Sequence, residues 1–194
     1  MINMAAKKIV IAGPPHSGKS VLREGLKQAI RAIPGAPYPY IITAAPDGEG
    51  AWFQETVNRN PELAASCKAS YKGKFTPEFV GRIENSIKRC CLDLTLIDIG
   101  GKTSDDNIKM CRGATHIIIL YGDVEKLPEW QEFARKVGLL VIAEIYSAYD
   151  DSEDKVEGVG PDGILRGSVH YLERGEPVRE RPMVRALAQH IVMM

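Results

Sequence analysis

Residues 13–20 read Gly-Pro-Pro-His-Ser-Gly-Lys-Ser, a complete G-x-x-x-x-G-K-[ST] phosphate-binding loop. An apolar run, Ile9-Val10-Ile11-Ala12, precedes it, and a helical pattern, Val21-Leu22-Arg23-Glu24-Gly25-Leu26, follows. This strand–loop–helix setting is what such a loop needs: its backbone N–H groups converge on an anion at the start of a helix. Gly13, Pro14, Pro15, His16, Ser17, Gly18, Lys19, Ser20 and Val21 are therefore the candidate nucleotide-binding residues. Lys19 is expected to reach the β- and γ-phosphates, and the Ser20 hydroxyl to bind Mg²⁺. His16 contributes its backbone, and no catalytic role is assigned to its ring. The alternative reading of the segment is an ordinary strand-to-helix turn.

The rest of the chain fits an α/β fold built around that loop. Strands are expected at Lys8–Ala12, Tyr38–Ala45, Leu94–Ile99, Thr115–Tyr121 and Leu139–Tyr146, with a weaker sixth at Ile164–Glu173. Helical patterns cover 19–33, 51–60, 77–91, about 104–113, 126–137 and 182–193, while 152–163 reads as a polar, Gly-rich loop. Strands alternating with helices predict a three-layer, doubly wound, mainly parallel sheet. The expected organisation is one domain over 1–194 with a helical insertion at about 50–92.

An acid that faces Ser20 is needed to hold Mg²⁺ through its water shell. Asp98 closes the apolar strand Leu94-Thr95-Leu96-Ile97 and is the candidate; the alternative is an Asp capping the next loop. Ile99 follows it, where AAA+ motors place a catalytic Glu, so a motor of that type is disfavoured. Asp98-Ile99-Gly100-Gly101 fits D-x-x-G, in which the N–H of the last glycine, Gly101, meets the γ-phosphate. Residues 102–107 would then form a switch-like loop. The competing reading is a helix-capping turn with Ser104 or Asp105 as the cap. No N-K-x-D follows a later strand, which favours ATP over GTP.

Where strand two ends, Asp47 and Glu49 are candidates to orient or deprotonate a small-molecule acceptor, and Trp52 and Phe53 can stack on a ring. A solvated turn and core packing are the alternatives. The 50–92 stretch carries seven Lys/Arg against four Glu, an excess that suits an anionic acceptor or a solvated helical face. Arg82 within it is a candidate anion clamp. The arginine-dense tail (Arg166, Arg174, Arg179, Arg181, Arg185) is interleaved with acids, so surface ion pairs are expected there beside the option of an arginine finger or a base-stacking residue. Lys+Arg and Asp+Glu are equal at 25 each, so charge does not point to nucleic acid. Four cysteines without a C-x-x-C pair read as reduced thiols, and no apolar stretch approaches a membrane span; a cytoplasmic location is expected.

The chain resembles the P-loop NTPase superfamily through these motifs. Within it, GPPHSGKS, APDGEGAWFQ and LIDIGGKTSDDN together resemble the P-loop domain linked to type III CRISPR-associated ring nucleases. That resemblance implies an ATPase or kinase-like module in prokaryotic defence, with a ring nuclease or a second subunit as partner. The residues leave three functional options: a regulatory ATPase, a small-molecule kinase using Asp47 as a catalytic residue beside Lys19, Asp98 and Gly101, or a nucleotide-holding interaction module.

Overall fold

The computed structural model describes residues 6–45, 75–150 and 153–194. Its centre is a seven-stranded sheet made of β1 (Lys7–Ala12), β2 (Tyr40–Ala44), β3 (Leu94–Ile99), β4 (His116–Tyr121), β5 (Leu140–Ala148), β6 (Lys155–Val159) and β7 (Leu165–His170). The strand order is β2-β3-β1-β4-β5-β7-β6, and all pairs are parallel except β6 with β7. The helices are α1 (Lys19–Arg31), α2 (Pro77–Arg89), α3 (Asp105–Cys111), α4 (Leu127–Val137) and α5 (Pro182–Met193).

Alternation along the central strands sorts the core into two layers. Ile9 and Ile11 pack with Leu22, Leu26 and Ile30 of α1 and with Leu187 and Ile191 of α5. Val10 and Ala12 face the other way, against Val80, Ile83 and Ile87 of α2, Met110 of α3 and Trp130 and Phe133 of α4. The expected three-layer, mainly parallel architecture is thus the observed one. Among the described residues no helix is long and apolar enough to cross a membrane.

Several boundaries differ from the sequence reading. The polar stretch 152–163, expected to be a loop, contains β6. This strand is an exposed, charged edge with a bulge between Val156 and Gly158, so it lacks the apolar signal of a buried strand. The weak sixth strand is real but shorter, Leu165–His170, and α1 stops at Arg31 rather than at residue 33. Within the expected 50–92 insertion, α2 is part of the layer that covers the sheet. Pro77 occupies its first turn and the Thr76 hydroxyl accepts from the Phe79 N–H as its cap. Residues 46–74, with Asp47, Glu49, Trp52 and Phe53, lie outside the described residues.

The strand order places the site. The chain leaves β1 for α1 and β2 on one side, returns through β3, and then crosses to β4 on the other side of β1. The crevice at the carboxyl ends of β1 and β3 is the topological switch point, where open α/β sheets bind ligands. Parallel register pairs Ile11 with Asp98, so the acid ends its strand beside the exit of β1 into the loop.

Candidate functional site

The backbone path of the loop depends on its glycines. Gly13 has φ 146°, and a Cβ there would lie 1.8 Å from the Leu120 carbonyl oxygen of β4, so no side chain fits. Gly18 is the left-handed N-cap of α1 and supplies no side-chain acceptor to the first turn, which leaves that role to a ligand. Ser17 Oγ donates to the Pro14 carbonyl at 2.9 Å, and Lys19 Nζ donates to the same oxygen at 2.7 Å. Ser17 and Lys19 are buried, Pro15 and His16 exposed, and Val21 packs in the core beneath the loop.

Ser20 and Asp98 come together across 78 residues of sequence: Ser20 Oγ donates to Asp98 Oδ2 at 3.0 Å. Asp98 is 3% exposed at the end of a strand whose residues are all buried. Arg23, one helical turn beyond Lys19 and Ser20, is fully buried and brings Nη1 to 3.3 Å from the same Asp98 oxygen. The hydroxyl–carboxylate pair is therefore backed by a buried guanidinium, which the sequence reading missed. The signal was available, since positions 19, 20 and 23 share a helix face.

The D-x-x-G segment lies against the loop. A Cβ on Gly101 would come within 2.5 Å of Pro15 N and 2.8 Å of Pro15 Cα, both backbone atoms. Asn107, buried on α3, holds the segment: its Nδ2 donates to the carbonyls of Gly100 at 3.2 Å and Lys102 at 2.6 Å. Ser104 Oγ caps α3 by accepting from Asn107 N at 3.4 Å, as the capping-turn reading of this stretch expects. Thr103 Oγ1 donates to Glu129 Oε1 of α4 at 2.6 Å. Between the loop and α4 lies a cavity of about 440 Å³ bordered by Pro14, Pro15, Gly101, Lys102, Lys126 and Glu129.

Two other sequence candidates are placed by ring and ion-pair contacts. Arg82 is exposed and stacks on the Phe79 ring of its own helix at 5.5 Å. In the tail, Arg166 pairs with Asp162 at 2.7 Å and Glu144 at 3.1 Å, and Arg179 pairs with Glu180 at 2.9 Å.

Fold and loop together define the class: the chain has the P-loop NTPase fold. Two solved structures have a similar fold. One is a proposed plasmid partition protein of Borrelia burgdorferi B31 bound to AMPPNP, with TM-score 0.59 and 12% identity over 97% of this chain and 97% of that one. The other is a plasmid partition protein from Borrelia burgdorferi, with TM-score 0.60 and 12% identity over 96% of this chain and 100% of that one. At this identity the likeness is one of fold, and it lends nothing to a link with ring nucleases. No family model and no curated protein matches the sequence.

Proposed function

We propose that the chain is a Mg²⁺-dependent P-loop ATPase that uses its D-x-x-G segment as a γ-phosphate-sensitive switch. The observation that carries this reading is the Ser20 Oγ–Asp98 Oδ2 contact of 3.0 Å beside the buried Lys19. One hydroxyl and one carboxylate oxygen, both hard donors, fit Mg²⁺, which takes few protein ligands and fills its octahedron with water and phosphate oxygens. Ser20 and Asp98 would hold the ion, which when bound neutralises charge on the β- and γ-phosphates. Lys19 and the amides of residues 13–21 bind and orient the phosphates, and Gly101 offers its N–H to the terminal one. Catalysis in such a site is positioning and electrostatic stabilisation. Adenine as the base is supported by the missing N-K-x-D and by the AMPPNP bound in the similar solved structure.

The cavity bordered by Gly101, Lys102 and Lys126 favours a second reading, in which a small anionic acceptor takes the phosphoryl group. Asp47, which lies outside the described residues, would then orient the acceptor. In the first reading the same cavity receives a second subunit or another partner. A single domain spanning 1–194, a cytoplasmic location and a ring-nuclease partner complete the proposal; the last rests on motif resemblance alone.

The test follows γ-labelled Mg·ATP with wild-type protein and Lys19→Ala across a pool of acceptors. Label released only as inorganic phosphate, and lost in Lys19→Ala, supports the ATPase. Label in an organic product supports the kinase reading. ATP bound without turnover, with or without acceptors, would leave a nucleotide-holding module and overturn both enzymatic readings.

A further inference from the structure

Tyr171 is a bulky residue in the left-handed region, with φ 39°. Such a conformation costs energy and persists only where neighbouring contacts enforce it; residues of this kind cluster at ligand sites. Among the described residues, the non-glycine positions with positive φ are His16, inside the phosphate loop, and Tyr171. The contacts that enforce Tyr171 are specific. Its N–H donates to the Ala148 carbonyl at 2.9 Å. The preceding residue, His170, donates from both its backbone N, at 3.1 Å, and its ring, at 2.6 Å, to Asp154, whose side chain is fully buried. Arg181 donates to the His170 carbonyl and, at 3.4 Å, to that of Tyr171.

These contacts fix a turn at the carboxyl end of β7, on the rim that carries the phosphate loop. The next residue, Leu172, lies over Gly18, where an added Cβ would meet Leu172 Cβ at 2.7 Å. The Tyr171–Ala148 bond also aligns the exits of β7 and β5, so that Tyr149 stands beside Tyr171 with ring centroids 5.3 Å apart. Tyr149 Oη donates to Glu173 Oε1 at 3.2 Å. Both rings face solvent, Tyr149 at 66% and Tyr171 at 39% exposure. Two anchored, solvent-facing rings thus flank the turn whose next residue, Leu172, covers Gly18, the N-cap of the phosphate-binding helix.

We propose that Tyr149 and Tyr171 form the nucleobase platform of this site, on which the purine of a nucleoside triphosphate stacks while its phosphates occupy the loop around Gly18 and Lys19. The proposal rests on the phosphate-loop reading and adds which residues grip the other end of the ligand. Stacking is tolerant of base identity because every base has a π-face. It therefore operates without the polar base-reading motif that this chain lacks. Asp154, through its buried carboxylate, and Arg181 are positioning residues that hold the turn.

The experiment is calorimetric binding of ATP and of inorganic tripolyphosphate, each with Mg²⁺, to wild type, Tyr149→Ala and Tyr171→Gly. Glycine at 171 keeps the left-handed turn while removing the ring. Each variant is expected to weaken ATP by about 5- to 100-fold and to leave tripolyphosphate unchanged, whereas Tyr149→Phe and Tyr171→Phe retain ATP affinity. Unchanged ATP affinity in both ring-deleted variants overturns the proposal. So does a parallel loss of ATP and tripolyphosphate, which makes the rings props for the loop. Wild-type protein that binds ATP no tighter than tripolyphosphate overturns the platform and spares the phosphate loop; binding of neither ligand removes both readings.

Discussion

Arg23 is the least expected residue of the site, a guanidinium with no solvent exposure against a carboxylate that is also buried. Removing one partner of such a pair strands the other charge and costs about 3–5 kcal/mol. Arg23→Leu should therefore lower stability by that order in urea denaturation, and saturating Mg·ATP should restore part of the loss, because Asp98 regains a cation. A variant as stable as wild type would mean that Asp98 is satisfied without Arg23. Gly101 poses a different constraint. A methyl at this position runs into the Pro15 backbone, so Gly101→Ala must push the D-x-x-G segment off the loop. Misplacement on the order of 1 Å costs about 10²-fold in rate, and turnover by Gly101→Ala should fall by that order while α3 and its capping by Ser104 keep the fold intact. Thiol chemistry reports burial independently of the nucleotide. Burial pushes the Cys111 thiol up to about 12, so it stays protonated at neutral pH, whereas Cys91 is exposed. Alkylation of the native protein at pH 8 should mark Cys91 and spare Cys111 until denaturant is added.

At the scale of elements, α5 owes its start to a residue far away in sequence. Its N-cap, Arg181, gives no side-chain acceptor; instead Asp154, just before β6, accepts from Met183 N at 3.3 Å and from His170 on β7. Asp154→Ala removes a helix cap and leaves buried donors without an acceptor, for a loss of about 2–3 kcal/mol; thermal or urea unfolding measures it. β1, β3 and β4 could be read because burial on both faces leaves continuous apolar runs, and Asp98 could be read because it ends such a run. β6 could not, since an exposed edge strand carries charge instead of pattern. The phosphate loop was legible because a local motif encodes its chemistry. Arg23 was missed although its place on the helix face of Lys19 and Ser20 could be read, Asn107 because its bonds to the preceding loop follow no motif, and the Tyr149–Tyr171 pair because it arises from a contact between elements. Arg82 suited an anion by its charge; among the described residues its guanidinium lies over the Phe79 ring of its own helix.

Across the whole molecule, the fold gathers the ends of β1, β3, β5 and β7 on one rim, so a bound nucleotide would bridge elements that are distant in sequence. Lys19 and Ser20 start α1, Asp98 ends β3, Gly101 leads into α3, and Tyr171 follows β7. A ligand that binds the native arrangement and not the unfolded chain stabilises it by mass action, about 2.7 kcal/mol at a hundredfold excess over Kd. For a chain of this size that corresponds to roughly 5–11 °C in Tm, at about 2–4 °C per kcal/mol. Mg·ATP should therefore raise Tm by that order in wild type. Chelating the metal with EDTA should remove most of the gain, because Ser20 and Asp98 then face phosphate oxygens without the ion that reconciles their charges. Lys19→Ala and Ser20→Ala, each compared with its own ligand-free Tm, should gain little from Mg·ATP. A shift that survives EDTA would assign the binding energy to the amides and Lys19 alone and remove Ser20 and Asp98 from the metal site. Equal shifts in all three proteins would move the nucleotide away from this loop altogether.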